Sequence, residues 1–241
     1  MSWLEKYEEP TAEQLKQYGV SSWKQVTDHS EILGPVLRDE LKGVLGDLQG
    51  KKILDFGCGI GRISLMLHHL EGQPTHACDI NKFSIDYMKR QLPSVDVQLT
   101  GFQPPLPYSD DFFDAIFSIS IWTHLHPKMQ VPWLVEMRRI LKPGGYALIS
   151  IAGDYVLQNR KKVYPEWEKY TEDDVRLQGQ LYLEYKRLHS NPENFPGVTD
   201  SYGTTIHDPD FILKTWGSLF SELEIHDRVI ARAQDLVVLR K

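Results

Sequence analysis

Residues 53–61 read Ile-Leu-Asp-Phe-Gly-Cys-Gly-Ile-Gly, and no other stretch restricts the fold as tightly. A short apolar run that ends in alternating glycines is how a buried parallel strand feeds a tight turn. Without a Cβ, the backbone at Gly57, Gly59 and Gly61 can bend sharply and come close to a ligand, and a helix starting just beyond offers unpaired N–H groups. That helix is legible in Ile63, Met66, Leu67 and Leu70, which share one face. The dinucleotide fingerprint asks for a third glycine one place later. This chain has Arg62 there, a side chain that would crowd the helix against the strand, which argues against a nicotinamide or flavin enzyme. A second apolar run, Thr75 to Asp79, ends in a carboxylate about 20 residues past the first glycine, where ribose hydroxyls are bound. Turn and carboxylate together imply an adenosine-type ligand.

The alternation continues along the chain. A helix is expected over Phe83–Leu92, stopped by Pro93, then strands at Val95–Leu99 and Phe113–Ser120, a helix at Val131–Leu141 and a strand at Tyr146–Ile151. Strand and helix in turn argue for a doubly wound, mostly parallel sheet. Ahead of it, Ile32, Val36, Leu37, Leu41, Val44 and Leu45 recur at helical spacing, so residues 1–50 read as a helical N-terminal cover. From 152 to 207 the pattern lapses into polar, aromatic and proline-containing sequence, with a helix expected at Asp173–Leu188; a stretch this long is an insertion rather than a connection. A helix at Pro209–Phe220 and two strands, Leu223–Ile230 and Asp235–Arg240, close the chain as an antiparallel edge. The 241 residues suit a single domain, 1–241, of α/β class with seven strands.

Composition removes several classes of function. A net charge of −6 gives no general attraction to a phosphate backbone, so nucleic acid is disfavoured as a partner. No apolar run approaches the roughly 18 residues that span a bilayer. Two cysteines, Cys58 and Cys78, make no disulfide framework, and with the polar start they suit a cytoplasmic protein. Neither cysteine sits in a C-x-x-C, so a packing role is preferred to a redox one.

Four segments carry a resemblance: ILDFGCGIGR at 53–62, CDI at 78–80, LPYSDDFFDAIFS at 106–118 and RRILKPGGYALIS at 138–150. In order and spacing they resemble the class I S-adenosylmethionine-dependent methyltransferases, with a Rossmann-like seven-stranded sheet whose last strand is antiparallel. The resemblance implies S-adenosyl-L-methionine as cofactor and S-adenosyl-L-homocysteine as product. It places Gly57, Cys58 and Gly59 under the methionine part, Asp55 near its ammonium group and Asp79 on the ribose hydroxyls. Ile80 would pack on the adenine, and Ser118 would offer its backbone near the methionine end. The chain departs from the family at Gly101-Phe102, where many members carry Asp or Asn to receive the adenine amino group; Phe102 can stack but cannot accept that bond.

A sulfonium methyl donor is already activated, so the protein chiefly aligns the acceptor and excludes water. A hydroxyl acceptor would need a base, and Ser120-Ile-Trp-Thr-His-Leu-His126 puts two histidines just after the fourth strand, at the sheet's carboxyl edge. His124 and His126 are therefore candidates, with His207, at the close of the insertion, a third. Each has a plainer alternative, capping a helix or bonding to backbone. A metal at His124-x-His126 is not favoured because no compact set of further ligands accompanies it. Trp122 is expected to wall the acceptor's place, and Trp133 to pack. The insertion's Tyr155, Tyr164, Trp167, Tyr170, Tyr182 and Tyr185 fit either a lid over the acceptor or a subdomain with its own core, or a homodimer contact. The expected reaction is methyl transfer to oxygen or nitrogen of a small metabolite such as a sugar or natural-product intermediate. A protein or RNA methyltransferase and a non-catalytic module holding the same ligand are the alternatives.

Overall fold

The computed structural model describes residues 3–12, 15, 20–162, 167–184 and 203–241. Strands β1 (Ile53–Phe56), β2 (His76–Asp79), β3 (Asp96–Leu99), β4 (Phe113–Ser118), β5 (Leu141–Ile151), β8 (Glu222–Ile230) and β9 (Gln234–Arg240) form one seven-stranded sheet in the order β3-β2-β1-β4-β5-β9-β8. β1 runs parallel to β2 and β4, and β9 runs antiparallel to both β5 and β8. The Rossmann-like, mostly parallel sheet expected from the alternation is present. The closing pair forms the expected antiparallel edge, with β9 inserted between β5 and β8. Its residues show why, since Leu236, Val237, Val238 and Leu239 are all buried, as a strand covered on both faces requires. Among the described residues no helix is long and apolar enough to cross a membrane.

The chain divides into two compact units. The first comprises Met1–Gly101 with Phe113–Phe117. It contains helices α1 (Trp23–Leu45), α2 (Ser64–Glu71) and α3 (Lys82–Gln91). All four residues of β1 are buried. The helices start where side chains can satisfy the first backbone N–H groups: the Ser22 hydroxyl accepts from Gln25 N, and the Asn81 carbonyl oxygen from Phe83 N and Ser84 N. Each turns an apolar face inward; Leu65, Ile85, Tyr87 and Met88 join one core with Cys58 and Ile60 of the glycine turn. Burying a side chain of that size contributes about 1.5–3 kcal/mol. The N-terminal cover is partly a strap: Trp3–Lys6 makes one 3-10 turn, the Tyr7 hydroxyl donates to Leu65 O, and the Tyr87 hydroxyl donates to Glu8 O at 2.6 Å. Leu15 and Val26 enter the same core as Cys58 and Ile60. Tyr18 lies outside the described residues.

Gly61 is closely packed as well as left-handed. Its φ is +75°, and a Cβ there would run into the Met88 sulfur and press on Leu65. Gly61→Ala is therefore expected to cost about 2–4 kcal/mol, the left-handed penalty added to overpacking. Urea denaturation measures it, and a loss below about 1 kcal/mol would contradict the tight contact.

The second unit comprises Phe102–Phe112 with Ser118–Lys241. Its helices are α4 (Pro127–Ile140), α5 (Asp154–Lys161), α6 (Glu172–Gln178) and α7 (Pro209–Thr215), and a separate antiparallel pair is made by β6 (Gln180–Glu184) and β7 (Gly203–His207). The buried Glu136 of α4 is fully engaged: Leu106 N donates to it at 2.7 Å, and Arg139 donates to both of its oxygens at 2.6 and 2.9 Å. Arg139 also reaches Asp110 at 2.7 Å, so the segment after Leu106 is fastened to α4 by charged hydrogen bonds.

Three expectations are corrected here. The helix expected over Asp173–Leu188 ends at Gln178, because Gly179 takes φ +75° and closes the last turn; Gln180–Glu184 then continue as β6, and 185–188 lie outside the described residues. The helix expected over Pro209–Phe220 stops at Thr215, with a 3-10 turn at Gly217–Leu219. The fourth strand stops at Ser118, two residues early, because Ser120 adopts a left-handed φ of +61°. The insertion has a small core of its own, built from Ala152, Leu157, Trp167, Val175, Leu181 and Ile206, with Tyr170 packed against it. Tyr155 is exposed. Tyr164 and Tyr185 lie outside the described residues.

Candidate active site

In the first unit the glycine turn follows β1, and Gly57, Gly59 and Gly61 all have positive φ, at 80°, 53° and 75°. Glycine alone occupies these conformations without strain. The turn is sewn to the next strand: Gly57 N and Cys58 N both donate to Cys78 O, at 2.8 and 3.0 Å. Asp79 secures the far side. One of its oxygens accepts from Gly59 N at 2.8 Å and the other from Asn81 N at 2.7 Å. Sequence spacing placed Asp79 beside the turn, but only the structure shows it bonded to Gly59. Ile80, next along, is half-buried.

Asp55 lies beneath, 5% exposed, with the Ser64 hydroxyl donating to it at 2.5 Å. Ser64 was not picked out from the sequence; its position on the first turn of α2, nine residues on, is the only signal that could have found it. Burial pushes the Asp55 carboxyl up to about 7; the Ser64 bond opposes the shift, the Asp79 charge adds to it, and Arg62 opposes it. Asp79 is raised as well, mainly by burial. Cys58 is 7% exposed and its thiol is pushed well up by burial, which suits a packing residue.

A carboxyl raised on folding holds a proton that the unfolded chain gives up. Its contribution to stability is complete below the ordinary carboxylate value near 4 and is lost as pH rises to about 7. Asp55→Asn, which mimics the protonated form, should therefore gain on the wild type between pH 4.5 and 8, by on the order of 4 kcal/mol at most. Urea denaturation of both proteins at the two pH values tests this, and an equal difference at both would refute it. Burial pushes the His207 imidazole down to about 3, which has the opposite sign: its contribution is complete above about 6.5 and fades as pH falls. Comparing the variant with the wild type cancels that second effect.

In the second unit the segment after β4 gathers the remaining candidates. Ile121 O accepts from His124 N and Leu125 N, which makes a tight turn. The His124 ring donates through Nδ1 to Gly203 O at 2.8 Å, since a carbonyl can only accept. In the neutral ring the lone pair then sits on Nε2, the arrangement a general base requires. His126 is placed differently. It caps α4, its Nδ1 accepting from Lys128 N at 3.1 Å, so its lone pair serves the helix. Its ring meets Tyr182 edge-on at 4.5 Å.

His207 is fully buried on β7. Gln130 Nε2 donates to Leu125 O, which turns its carbonyl oxygen toward His207 Nε2 at 3.2 Å. The ring packs edge-on against Trp216. A side chain so enclosed has no path to a substrate. Trp122, expected to wall the acceptor's place, is also fully buried, its ring 5.0 Å from Trp216, and Trp133 packs in the core. Ser118 is fully buried, and its hydroxyl has no hydrogen-bond partner among the described residues; Phe102 is half-buried. Among the described residues no three His, Cys, Asp or Glu side chains are grouped to hold a metal ion.

Residues 53–145 match a family described as a methyltransferase domain. The chain is 31% identical over 155 residues to a fatty-acid O-methyltransferase of Mycolicibacterium smegmatis, covering 63% of this chain and 54% of that protein. It is 27% identical over 179 residues to the methyltransferase GfsG of Streptomyces halstedii, covering 70% and 58%. The chain thus spans about half the length of the curated relatives it matches. Among solved structures, the fold resembles the 1,6-didemethyltoxoflavin-N1-methyltransferase of Burkholderia thailandensis, with a TM-score of 0.58, 16% identity, and coverage of 95% of this chain and 88% of that one. An S-adenosylmethionine-dependent methyltransferase of Methanosarcina mazei gives a TM-score of 0.58 at 19% identity, covering 84% and 96%. With the match falling on the glycine turn, the Asp79 strand and the strands on either side of α4, residues 53–145 carry a methyltransferase domain, and the fold is that of S-adenosylmethionine-dependent methyltransferases.

Proposed function

We propose that the protein transfers a methyl group from S-adenosyl-L-methionine to an oxygen, or a nitrogen, of a small metabolite and releases S-adenosyl-L-homocysteine. The observation that carries this reading is the pair of carboxylates, buried Asp55 and half-buried Asp79, around a turn of three left-handed glycines. A ligand with a cationic amino-acid end suits the buried Asp55, whereas a diphosphate set against it would be repelled. When bound, the donor supplies a methyl group already activated on a sulfonium.

The chain's own residues do the rest. Asp55, ionised by the donor's cation, holds the ammonium group; Asp79 accepts from the ribose hydroxyls; Gly57 and Gly59 allow close approach, and Ile80 packs on the adenine. In the second unit His124 takes the proton of a hydroxyl acceptor through Nε2, while the Gly203 carbonyl holds its Nδ1–H. An acceptor oxygen is favoured for that reason, since an amine with a free lone pair needs no base. The fatty-acid O-methyltransferase relative supports an apolar metabolite with an oxygen to be methylated.

Calorimetry with S-adenosyl-L-methionine and its demethylated product, followed by a search for product formation across hydroxylated and carboxylated metabolites, tests the proposal. Failure to bind either form of the donor, together with uptake of a nicotinamide or flavin, would sink it.

A further inference from the structure

Ser120 leaves β4 with φ +61°, a conformation that favours glycine, yet the residue is serine. A ring of hydrogen bonds surrounds it. Its backbone N–H donates to Ser150 Oγ at 2.7 Å, the Ser150 hydroxyl donates to Gln234 Oε1 at 2.8 Å, and Gln234 Nε2 donates to Ser120 Oγ at 3.1 Å. The direction of each bond follows from chemistry. A backbone N–H only donates, so Ser150 Oγ accepts there and gives its own proton to the glutamine carbonyl, which turns the amide NH₂ toward Ser120. The ring joins Ser120, two residues past β4, to β5 and to the first residue of β9.

The opposite side of the same turn is fastened separately. Thr205 N donates to Thr123 O at 2.8 Å, the Thr205 hydroxyl donates to Leu125 O at 2.8 Å, and His124 Nδ1 donates to Gly203 O at 2.8 Å. The turn carrying His124 is thus held at two ends, by β7 on one side and by the Ser150–Gln234 ring on the other. The proposed reaction gives neither Ser150 nor Gln234 any task.

We propose that Ser120, Ser150 and Gln234 are positioning residues for His124: they keep Ser120 left-handed and so set the direction in which the turn presents the imidazole. The role assumes the proposed methyl transfer with His124 as base. Without the ring a serine relaxes to negative φ, and the chain leaves β4 along another path. A glycine at 120 would hold the left-handed form unaided. The double variant Ser120→Gly/Gln234→Leu should therefore recover what Gln234→Leu alone loses.

The test uses the full chain with ¹⁵N-labelled histidine, the His124 signals being assigned by their loss in His124→Gln. The wild type should show His124 with the proton on Nδ1. In Gln234→Leu the Nδ1 and Nε2 shifts should move toward a tautomer mixture, and kcat on an accepted metabolite should fall roughly 10–100-fold, with donor affinity within about twofold. Ser120→Gly/Gln234→Leu should restore both the shifts and most of kcat, which a merely destabilising change would not. Should Gln234→Leu fail to fold, Ser150→Ala breaks the same ring by one atom and takes its place in both measurements. Unchanged His124 shifts in the ring-breaking variant, or no rescue by glycine, overturns the proposal. A wild type that does not bind the donor removes the methyl-transfer reading instead, and the NMR measurement still decides whether the ring positions His124.

Discussion

His124→Gln is expected to lower kcat by roughly 100- to 10,000-fold on a hydroxyl acceptor, the usual contribution of a general base. Donor affinity should change less than about twofold, because no donor-binding role falls on this residue. Glutamine can still donate to the Gly203 carbonyl, so the loss isolates proton transfer from the anchoring of the ring. Steady-state kinetics on an accepted alcohol or phenol, with calorimetry of donor binding, measures both effects. Normal turnover in the variant would take the base role from His124 and favour an acceptor that needs no base. The other two histidines are poorer choices on structural grounds. The lone pair of His126 is committed to the N-terminus of α4, and burial keeps His207 neutral and enclosed.

Asp79→Ala should weaken donor binding by about 1–3 kcal/mol, a factor of roughly five to 150. Two losses combine. The ribose hydroxyls lose their acceptor, and Gly59 N–H loses the carboxylate oxygen that steadies the glycine turn. Asp79→Asn separates them, since its single carbonyl oxygen can keep one of these bonds but not the charge. Calorimetry with S-adenosyl-L-methionine measures both variants. Affinity equal to the wild type in Asp79→Ala would contradict the ribose assignment. Burial raises the Asp79 carboxyl, so donor affinity in the wild type should also weaken as the solution is acidified and the carboxylate takes up a proton.

Local pattern made much of this legible. The run into Gly57, the apolar face of α2, the carboxylate at Asp79 and the alternation from β1 to β5 are short-range features, and each is written within a few neighbouring residues. Parallel order follows from the same alternation, because each helix must carry the chain back to begin the next strand. Two kinds of feature were not legible. One is the termination of elements where a single backbone angle decides the outcome. Ser120 ends β4 early although Ile119 prolongs the apolar run past Ser118, and Gly179 divides an apparently helical stretch into α6 and β6. The other is the use made of a polar side chain. The three histidines look alike in the chain, and only their partners distinguish a ring held by Gly203, a cap on α4 and a sealed core residue.

From its residues alone the chain determined an α/β sheet and a glycine turn with a carboxylate ending the next strand, and hence an adenosine-type ligand, because these depend on periodicity and on spacing of about 20 residues. Tertiary structure decided which histidine bonds to Gly203 and which caps α4, that Ser120 is tied to Gln234, that Trp122 packs inward, and that β9 slips between β5 and β8. Those outcomes rest on hydrogen bonds and packing between residues as far apart as Ser120 and Gln234. The energy of such long-range partnerships belongs to neither residue by itself, so no reading along the chain contains it.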